Sequence, residues 1–291
     1  MRECEHMRRN FAQVLKAGKV DLKKEYSKLY ALFYGRDDRD DKSLADLISM
    51  NIESFYFRGT CLDLDEFDEK YGFHFAEQPQ DFDIDYLVSF CEYIYNFVLW
   101  FEDRYFFAQI NKHFYLQQIS KVIEAIGYME SHEDGFTIFV PKDNAAIAVS
   151  ESEHIPEILS YRVIAYNHHS MKGNLEAKKA VLQQLASILE AKRKDLSRAD
   201  KTLESDLFYA FNNLNIRHNN VDPGLKGKYK AYVAQMSTDE LEKWYNETYQ
   251  MCLLAFLQIE NLDRKAEFDK LKAEIEKSST KTALDGEGHE F

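Results

Sequence analysis

Turn-forming residues are scarce in this chain of 291 residues, which contains only 4 Pro and 11 Gly. β-Sandwiches and β-barrels need a turn after every short strand, and many of those turns require Gly or Pro. The scarcity of both residues therefore favours long helices with few breaks. A hydrophobic fraction of 45% is ordinary for a globular protein, so the chain has enough apolar residues for a sizeable core.

Cysteine and long apolar runs are scarce as well. The 4 Cys are far apart and form no Cys-x-x-Cys pair, which favours free thiols in a reducing compartment. Apolar runs such as FVLWF at 97–101 are far too short to cross a bilayer. The first residues also lack the apolar segment of a signal peptide. We therefore expect a cytoplasmic protein that does not bind a membrane.

Motifs for nucleotides, acyl transfer and metals are missing from the sequence. It contains no Gly-rich phosphate loop and no Gly-x-Ser-x-Gly elbow. His168 and His169 are adjacent, so they lack the ligand spacing of a zinc site. The segment DFDIDYLVSFCE at 81–92 has acidic residues at EF-hand positions, but Tyr86 stands where that loop requires Gly. We therefore predict no cofactor and no metal.

Charge is unevenly distributed along the chain. The net charge is −13 at pH 7, yet residues 171–230 contain 12 Lys or Arg and 7 Asp or Glu, a net of +5. The remaining residues therefore carry −18. A local positive field attracts an anion whatever the total charge, so this region is a candidate for binding one. The alternative interpretation is an ordinary solvated helix surface.

Apolar residues recur at helical spacing along most of the chain, and aromatic residues are abundant, with 21 Phe and 18 Tyr. Two apolar stripes on residues 84–103 predict a central helix that is buried on both faces. Further helices are predicted as follows: two or three over 5–60, one ending near 126, one from Leu175 with Asn174 as its cap, one capped by Ser197 and ending near 216, and one over 237–262 that starts with the capping box of Ser237 and Glu240.

The pattern changes between residues 126 and 167, where β-branched residues surround an Asp-Gly turn at 134–135. This composition predicts a β-hairpin or a three-stranded meander, and YRVIAYN at 161–167 is a candidate further strand. The predicted fold is mainly α, with one or more helical bundles and this small β element. Its predicted regions are helical over 1–125, β element and polar loop over 126–170, helical bundle over 171–277, and a disordered tail over 278–291.

The most unusual segment is SDLFYAFNNLNIRHNNVDPG at 205–224, where an apolar helical pattern ends in a cluster of polar residues: Asn212, Asn213, Asn215, Arg217, His218, Asn219 and Asn220. One interpretation is structural, because Asn tolerates left-handed backbone at a helix end and Arg and His can bond the last carbonyls. The other is catalytic, with Arg217 for a phosphate, His218 for proton transfer and the Asn side chains to orient them. Lys226 and Lys228 would add attraction for an anion.

A helical bundle with Arg, His and Asn at a helix end resembles the HEPN superfamily, whose domains occur in bacterial abortive-infection proteins and toxin–antitoxin pairs. The resemblance covers residues 170–262. It implies a metal-independent endoribonuclease that acts on RNA as a homodimer in phage defence or a toxin system, with a defence-system partner protein. In that family a His follows the Arg after a short spacer, whereas here Asp222, Pro223 and Gly224 occupy those positions. His218 instead follows Arg217 directly.

A second polar segment, RVIAYNHHSMKG at 162–173, offers alternative acid–base residues. His168 and His169 follow Arg162 at the family spacing, and Lys172 lies just before a predicted helix whose first N–H groups could hold a phosphate. The bland interpretation is a polar surface loop. If the two segments meet in space, the case for a site strengthens.

A different class of function fits the same residues. In this alternative the chain is a non-catalytic helical binding module, in which the β element and the helix end with Asn212, Asn215, Asn219 and Asn220 dock a partner protein or a nucleotide-like ligand. The exposure of His218 discriminates the two, because a catalytic His must reach solvent whereas a structural one is buried and bonded.

Overall fold

The structure is a computed structural model that describes residues 20–36, 42–77, 79, 81–101 and 112–285. Within these residues the protein is mainly α, with 12 α-helices and one two-stranded antiparallel hairpin. Residue contacts divide the chain between Lys142 and Asp143 into two compact units. This boundary falls inside 126–170, the region predicted to hold the β element and the polar loop. The part of the predicted N-terminal helices that precedes residue 20 lies outside the described residues.

The first unit consists of helices and the hairpin. Its elements are α1 (Leu22–Tyr34), α2 (Leu44–Met50), α3 (Leu64–Tyr71), α4 (Ile84–Trp100), α5 (Lys112–Ala125), β1 (Tyr128–Glu133) and β2 (Phe136–Pro141), with short 3₁₀ turns at Ile52–Ser54 and Tyr56–Arg58. Helix α3 begins after the Asp63 side chain, which caps it by accepting the Glu66 N–H.

Helix α4 is the centre of the first unit, as the two apolar stripes predict. Phe90 and Phe97 on one stripe and Val88 and Cys91 on the other are all buried. The acidic residues before it belong to its start, because the Asp83 carboxylate accepts the N–H of Tyr86 at 2.8 Å and so caps the helix.

The β element is a two-stranded hairpin, one of the two predicted forms. Asp134 (φ 50°) and Gly135 (φ 86°) form the loop between paired Glu133 and Phe136, the left-handed geometry that favours Asp-Gly. Asn96 of α4 binds the free edge of β2, because its amide donates to the Thr137 carbonyl at 2.8 Å and its oxygen accepts the Thr137 N–H at 2.9 Å.

The second unit is a helical bundle. Its elements are α6 (Asn144–Ser150), α7 (Glu157–Ala165), α8 (Leu175–Ala191), α9 (Arg193–Ala199), α10 (Lys201–Asn213), α11 (Ala231–Ala234) and α12 (Thr238–Asp285), with a 3₁₀ turn at His169–Met171. Helix α7 replaces the strand predicted at 161–167, because Val163 packs into the helical core despite its β-branched side chain. The predicted cap Ser197 lies inside α9, and Asp200 caps α10 instead by accepting the Leu203 N–H.

Helix α12 begins as predicted. Ser237 Oγ accepts the Glu240 N–H at 3.2 Å, and the Glu240 carboxylate accepts the Ser237 N–H at 3.2 Å. Its first half is buried against the bundle through Tyr245, Cys252 and Phe256. It then continues to Asp285, so it enters the segment 278–291 for which the sequence predicts disorder. None of the helices in the described ranges is long and apolar enough to span a membrane.

Candidate functional site

Asn220 organises the polar helix end in the second unit. Its side chain is 0% exposed, and its amide donates to the carbonyls of Asn212 at 3.1 Å and Lys228 at 2.7 Å. Its oxygen accepts the N–H of Asn215, which has the left-handed φ of 58° that the sequence suggests for a helix-terminal Asn. The chain after α10 is thus folded around a buried amide.

Arg217 is engaged within the bundle. Its guanidinium donates to the Ala186 carbonyl at 2.9 Å and forms an ion pair with Glu190, both on α8. The same group lies 5.2 Å from the ring centre of Phe208 and 5.4 Å from that of Phe211, within cation–π distance. A phosphate ligand at Arg217 would have to compete with these contacts.

His218 lies at the surface next to a second cation. Its Nε2 is 3.1 Å from Nζ of Lys228, and partial burial, Lys228 and Arg217 together hold the pKa of His218 below its ordinary value. This lowered pKa favours the neutral imidazole, which is the form that can accept a proton. Asn219 and Lys226 are exposed as well.

His168 is placed differently, because it is only 6% exposed. Its Nδ1 accepts the Ser170 N–H at 3.3 Å and lies 2.7 Å from Ser170 Oγ, so in the neutral ring Nε2 carries the proton. The half-buried His169 ring lies 4.0 Å from the His168 ring, centre to centre. Lys172 is exposed at the end of this turn.

Glu242 of α12 binds both the turn after His168 and the start of α8. Lys178 is buried and donates to Glu242 at 2.7 Å, while the Gly173 N–H donates to the same carboxylate at 3.0 Å. Burial acts to raise the pKa of Glu242, but these two donors outweigh it and hold the pKa below its ordinary value. The His168 segment is thus anchored near Lys178, and the Arg217 segment near Ala186, roughly 12 Å further along α8 at 1.5 Å per residue.

Sequence reasoning missed an open groove in the second unit. It encloses about 510 Å³ among α10, α11 and α12, and its lining comprises Asp206, Tyr209, Ala210, Asn213, Leu214, Lys230, Tyr232, Val233, Met236, Trp244, Glu247, Thr248 and Met251. Three aromatic side chains on its rim are exposed: Tyr209 by 70%, Tyr232 by 74% and Trp244 by 46%. Helical spacing along 237–262 does not distinguish Trp244 from its buried neighbour Tyr245, and the exposure of Trp244 in the structure reveals the groove.

The groove has acidic residues on two of its walls. Asp206 of α10 and Glu247 of α12 both line it, whereas Lys230 is the one basic residue among its lining side chains. Two helical turns of each wall face the opening, from 206 to 213 and from 244 to 251, which is roughly 10 Å of helix axis. The groove therefore fits a short apolar segment that carries a basic side chain.

Comparisons of the chain with protein-family models, with curated proteins and with solved structures find no match.

Proposed function

We propose that the second unit is a non-catalytic binding module, whose groove takes about two turns of an amphipathic helix from a partner protein. The observation that supports this function is the exposure of Tyr209, Tyr232 and Trp244 around one apolar opening. Exposed aromatic side chains that share a concave surface are typical of protein-binding sites, where Tyr and Trp contribute much of the affinity.

The groove specifies the chemistry of the segment it binds. Two turns of a bound helix present apolar side chains at positions i, i+3 or i+4, and i+7, which fit between the aromatic rims. Asp206 and Glu247 favour a Lys or Arg on the flank of the same segment, because opposite charges give an interface its orientation.

The polar helix end supports a binding function more than catalysis. Arg217 already pairs with Glu190, and Asn220 is buried and fully bonded to backbone groups. These residues stabilise the loop that connects α10 to α11, and α11 supplies Tyr232 to the groove rim. The contacts of Arg217 and Asn220 therefore have a structural explanation: they hold the loop that positions one side of the groove.

A peptide selection tests this function. A library of helical peptides, randomised at their apolar and basic positions, is selected against the full chain, and binding is followed by the fluorescence of Trp244 in a Trp100→Phe background. We expect peptides with apolar residues at i, i+3 or i+4 and i+7 and one basic residue, whose binding shifts the Trp244 emission to shorter wavelength.

The control uses an exposed aromatic residue of the first unit. Tyr232→Ala removes a rim side chain and should weaken peptide binding at least tenfold, whereas Tyr56→Ala, at a side chain that is 61% exposed, should leave it unchanged. If the selected peptides bind both variants equally well, the groove is not their site and the proposal fails.

RNA cleavage is a second candidate, favoured by one observation. His218 is partly exposed beside Lys228, which favours its neutral form, so it can take the proton of a 2′-hydroxyl while the ammonium attracts the phosphate. A homodimer would supply the second His needed as an acid, as in the HEPN domains that the segment resembles.

Incubation of purified protein with labelled RNA in excess EDTA tests cleavage. The second candidate predicts fragments with 2′,3′-cyclic phosphate ends and growth arrest on induced expression, both lost in soluble His218→Ala and Lys228→Ala variants. Cleavage that persists in His218→Ala, or no cleavage by the wild type, removes His218 from consideration as the base.

A further inference from the structure

Helix α12 extends beyond the bundle as an exposed helix. Every side chain from Asp263 to Lys277 is exposed to solvent, whereas Phe256 and Ile259, just before, are buried. We call residues 263–277 the projecting segment. Its length is roughly 22 Å at 1.5 Å per residue, which is four helical turns.

One face of the projecting segment is apolar although it lies in water. Phe268 is 58% exposed, Leu271 is 52% exposed and Ile275 is 56% exposed. Their spacing alternates between three and four residues, which defines positions a, d and a of a heptad. The same frame continues backwards through Arg264 and Asn261 to exposed Leu254. A solvated single helix has no need of such a stripe.

The charges beside this stripe are segregated by sign. In the frame set by Phe268 as position a, the g positions are Glu260, Glu267 and Glu274, and the e positions within the segment are Lys265 and Lys272. In a parallel pair, each g residue faces the e residue five positions later on the other helix. Glu260 then meets Lys265, and Glu267 meets Lys272, so both of these pairs join opposite charges.

An antiparallel pair gives the opposite result. There, g faces g and e faces e, so Glu would lie against Glu and Lys against Lys. Asn261 falls at position a, where a single buried Asn fixes the register and favours two strands. Arg264 falls at position d, and its long aliphatic stem can cover the seam while its guanidinium stays in water.

We propose that the projecting segment forms a parallel two-stranded coiled coil with the same segment of a second copy of this chain. The seam is formed by Phe268, Leu271 and Ile275, and the flanking Glu and Lys residues select the second copy and its direction. The dimer does not depend on the groove or on any catalytic role of the polar helix end.

Sedimentation of the full chain over a range of concentrations is the first test. The wild type should show a reversible dimer. Leu271→Glu places a charge in the seam and should abolish it, whereas Ala273→Glu adds the same charge on the outer face and should leave it intact. Both positions are exposed, so the fold of each monomer is retained, as circular dichroism will check. A wild type that stays monomeric throughout, or equal behaviour of the two variants, overturns the proposal.

Charge exchange tests the pairing between flanking residues. Lys272→Glu places Glu against Glu267 of the other copy and should weaken the dimer severalfold. Adding Glu267→Lys to the same chain restores an opposite-charge pair with its signs exchanged, so dimerisation should recover. If the double variant is weaker than either single variant, these residues do not face each other as proposed.

Cross-linking tests the direction of the two helices. In a Cys4→Ser background, Ile275→Cys should form a disulfide dimer under mild oxidation, because parallel helices bring position 275 of one copy against position 275 of the other. Cys61, Cys91 and Cys252 are buried and do not compete. Ala273→Cys, on the outer face, should not cross-link. Efficient cross-linking only in a mixture of Ile275→Cys and Arg264→Cys chains indicates antiparallel helices, in which position a faces position d, and overturns the proposed direction.

Discussion

Asn215 and Asn220 bind each other in both directions, each side chain accepting the backbone N–H of the other. The Asn215 N–H donates to Asn220 Oδ1 at 2.8 Å, and the Asn220 N–H donates to Asn215 Oδ1 at 3.2 Å. This exchange closes the turn after α10 without any regular secondary structure. It gives two of the residues considered for a catalytic site a clear structural role.

Asn220 should be the residue of this turn that matters most for stability. Asn220→Ala leaves the carbonyls of Asn212 and Lys228 and the N–H of Asn215 without their buried partner, so we expect a loss of roughly 2–4 kcal/mol in unfolding free energy. Asn219→Ala, at the exposed neighbour, should change it by less than about 0.5 kcal/mol. Hydrogen exchange of amides in α10 and α12 measures the unfolding free energy of each variant. Equal losses in the two variants would show that the buried amide of Asn220 is dispensable.

The left-handed backbone at Asn215 gives a second prediction. Asn215→Gly and Asn215→Ala both remove the acceptor for the Asn220 N–H, but only Ala is strained at a φ of 58°. We expect the Ala variant to be less stable than the Gly variant by roughly 1 kcal/mol. The same exchange measurement compares the two directly. A Gly variant that is no more stable than the Ala variant would mean that the turn relaxes to another conformation.

Arg217 and His218 are neighbours in sequence but should respond differently to substitution. Arg217→Ala removes the bond to Ala186, the pair with Glu190 and the aromatic contacts, so we expect a loss of roughly 1–2 kcal/mol. His218→Ala should change stability by less than about 0.5 kcal/mol, because its ring lies at the surface.

Arg217→Lys separates charge from shape at the same position. Lys keeps the positive charge but lacks the planar group that lies near Phe208 and Phe211. Arg217→Lys should therefore recover only part of the stability that Arg217→Ala loses. Full recovery by Lys in urea unfolding would indicate that charge alone matters at this position.

The helices with local start signals are the ones that the sequence predicts well. Asn174 caps α8 by accepting the Ala177 N–H, and Ser237 with Glu240 starts α12, because a cap and its partner lie within one turn of chain. Residues 161–165 belong to helix α7 instead of a strand, since burial of Val163 in the bundle outweighs its β propensity. That burial depends on residues far away in sequence.

The candidate site, too, could be predicted from the sequence only where its contacts are local. The unusual concentration of polar residues at 212–220 marks a specialised loop, and the structural interpretation of its Asn residues follows from known helix-end geometry. The partner of Arg217 is not predictable, because Glu190 lies on a helix that precedes it and faces it only after folding. The groove likewise forms from three separate helices, so no local pattern predicts it.

Asp68 provides a pH-dependent prediction for the first unit. Its carboxylate accepts the Tyr93 hydroxyl at 2.8 Å, and burial raises the pKa of Asp68 to about 6. Because this pKa exceeds the ordinary value of 3.8, the folded unit binds a proton more tightly than the unfolded chain. The contribution of Asp68 to stability is therefore fully present below pH 3.8 and is lost as the pH rises through 6.

Asp68→Asn isolates this contribution, because the amide oxygen still accepts the Tyr93 hydroxyl but carries no charge. The variant should be more stable than the wild type above pH 6, and the difference should shrink as the pH falls towards 3.8. Hydrogen exchange of α3 and α4 amides over this pH range measures the first unit by itself. Glu69→Gln removes an exposed charge from the same helix and should show no such trend. A difference between Asp68→Asn and wild type that grows on acidification would contradict the raised pKa, since it would require a carboxylate that the fold stabilises in its charged form.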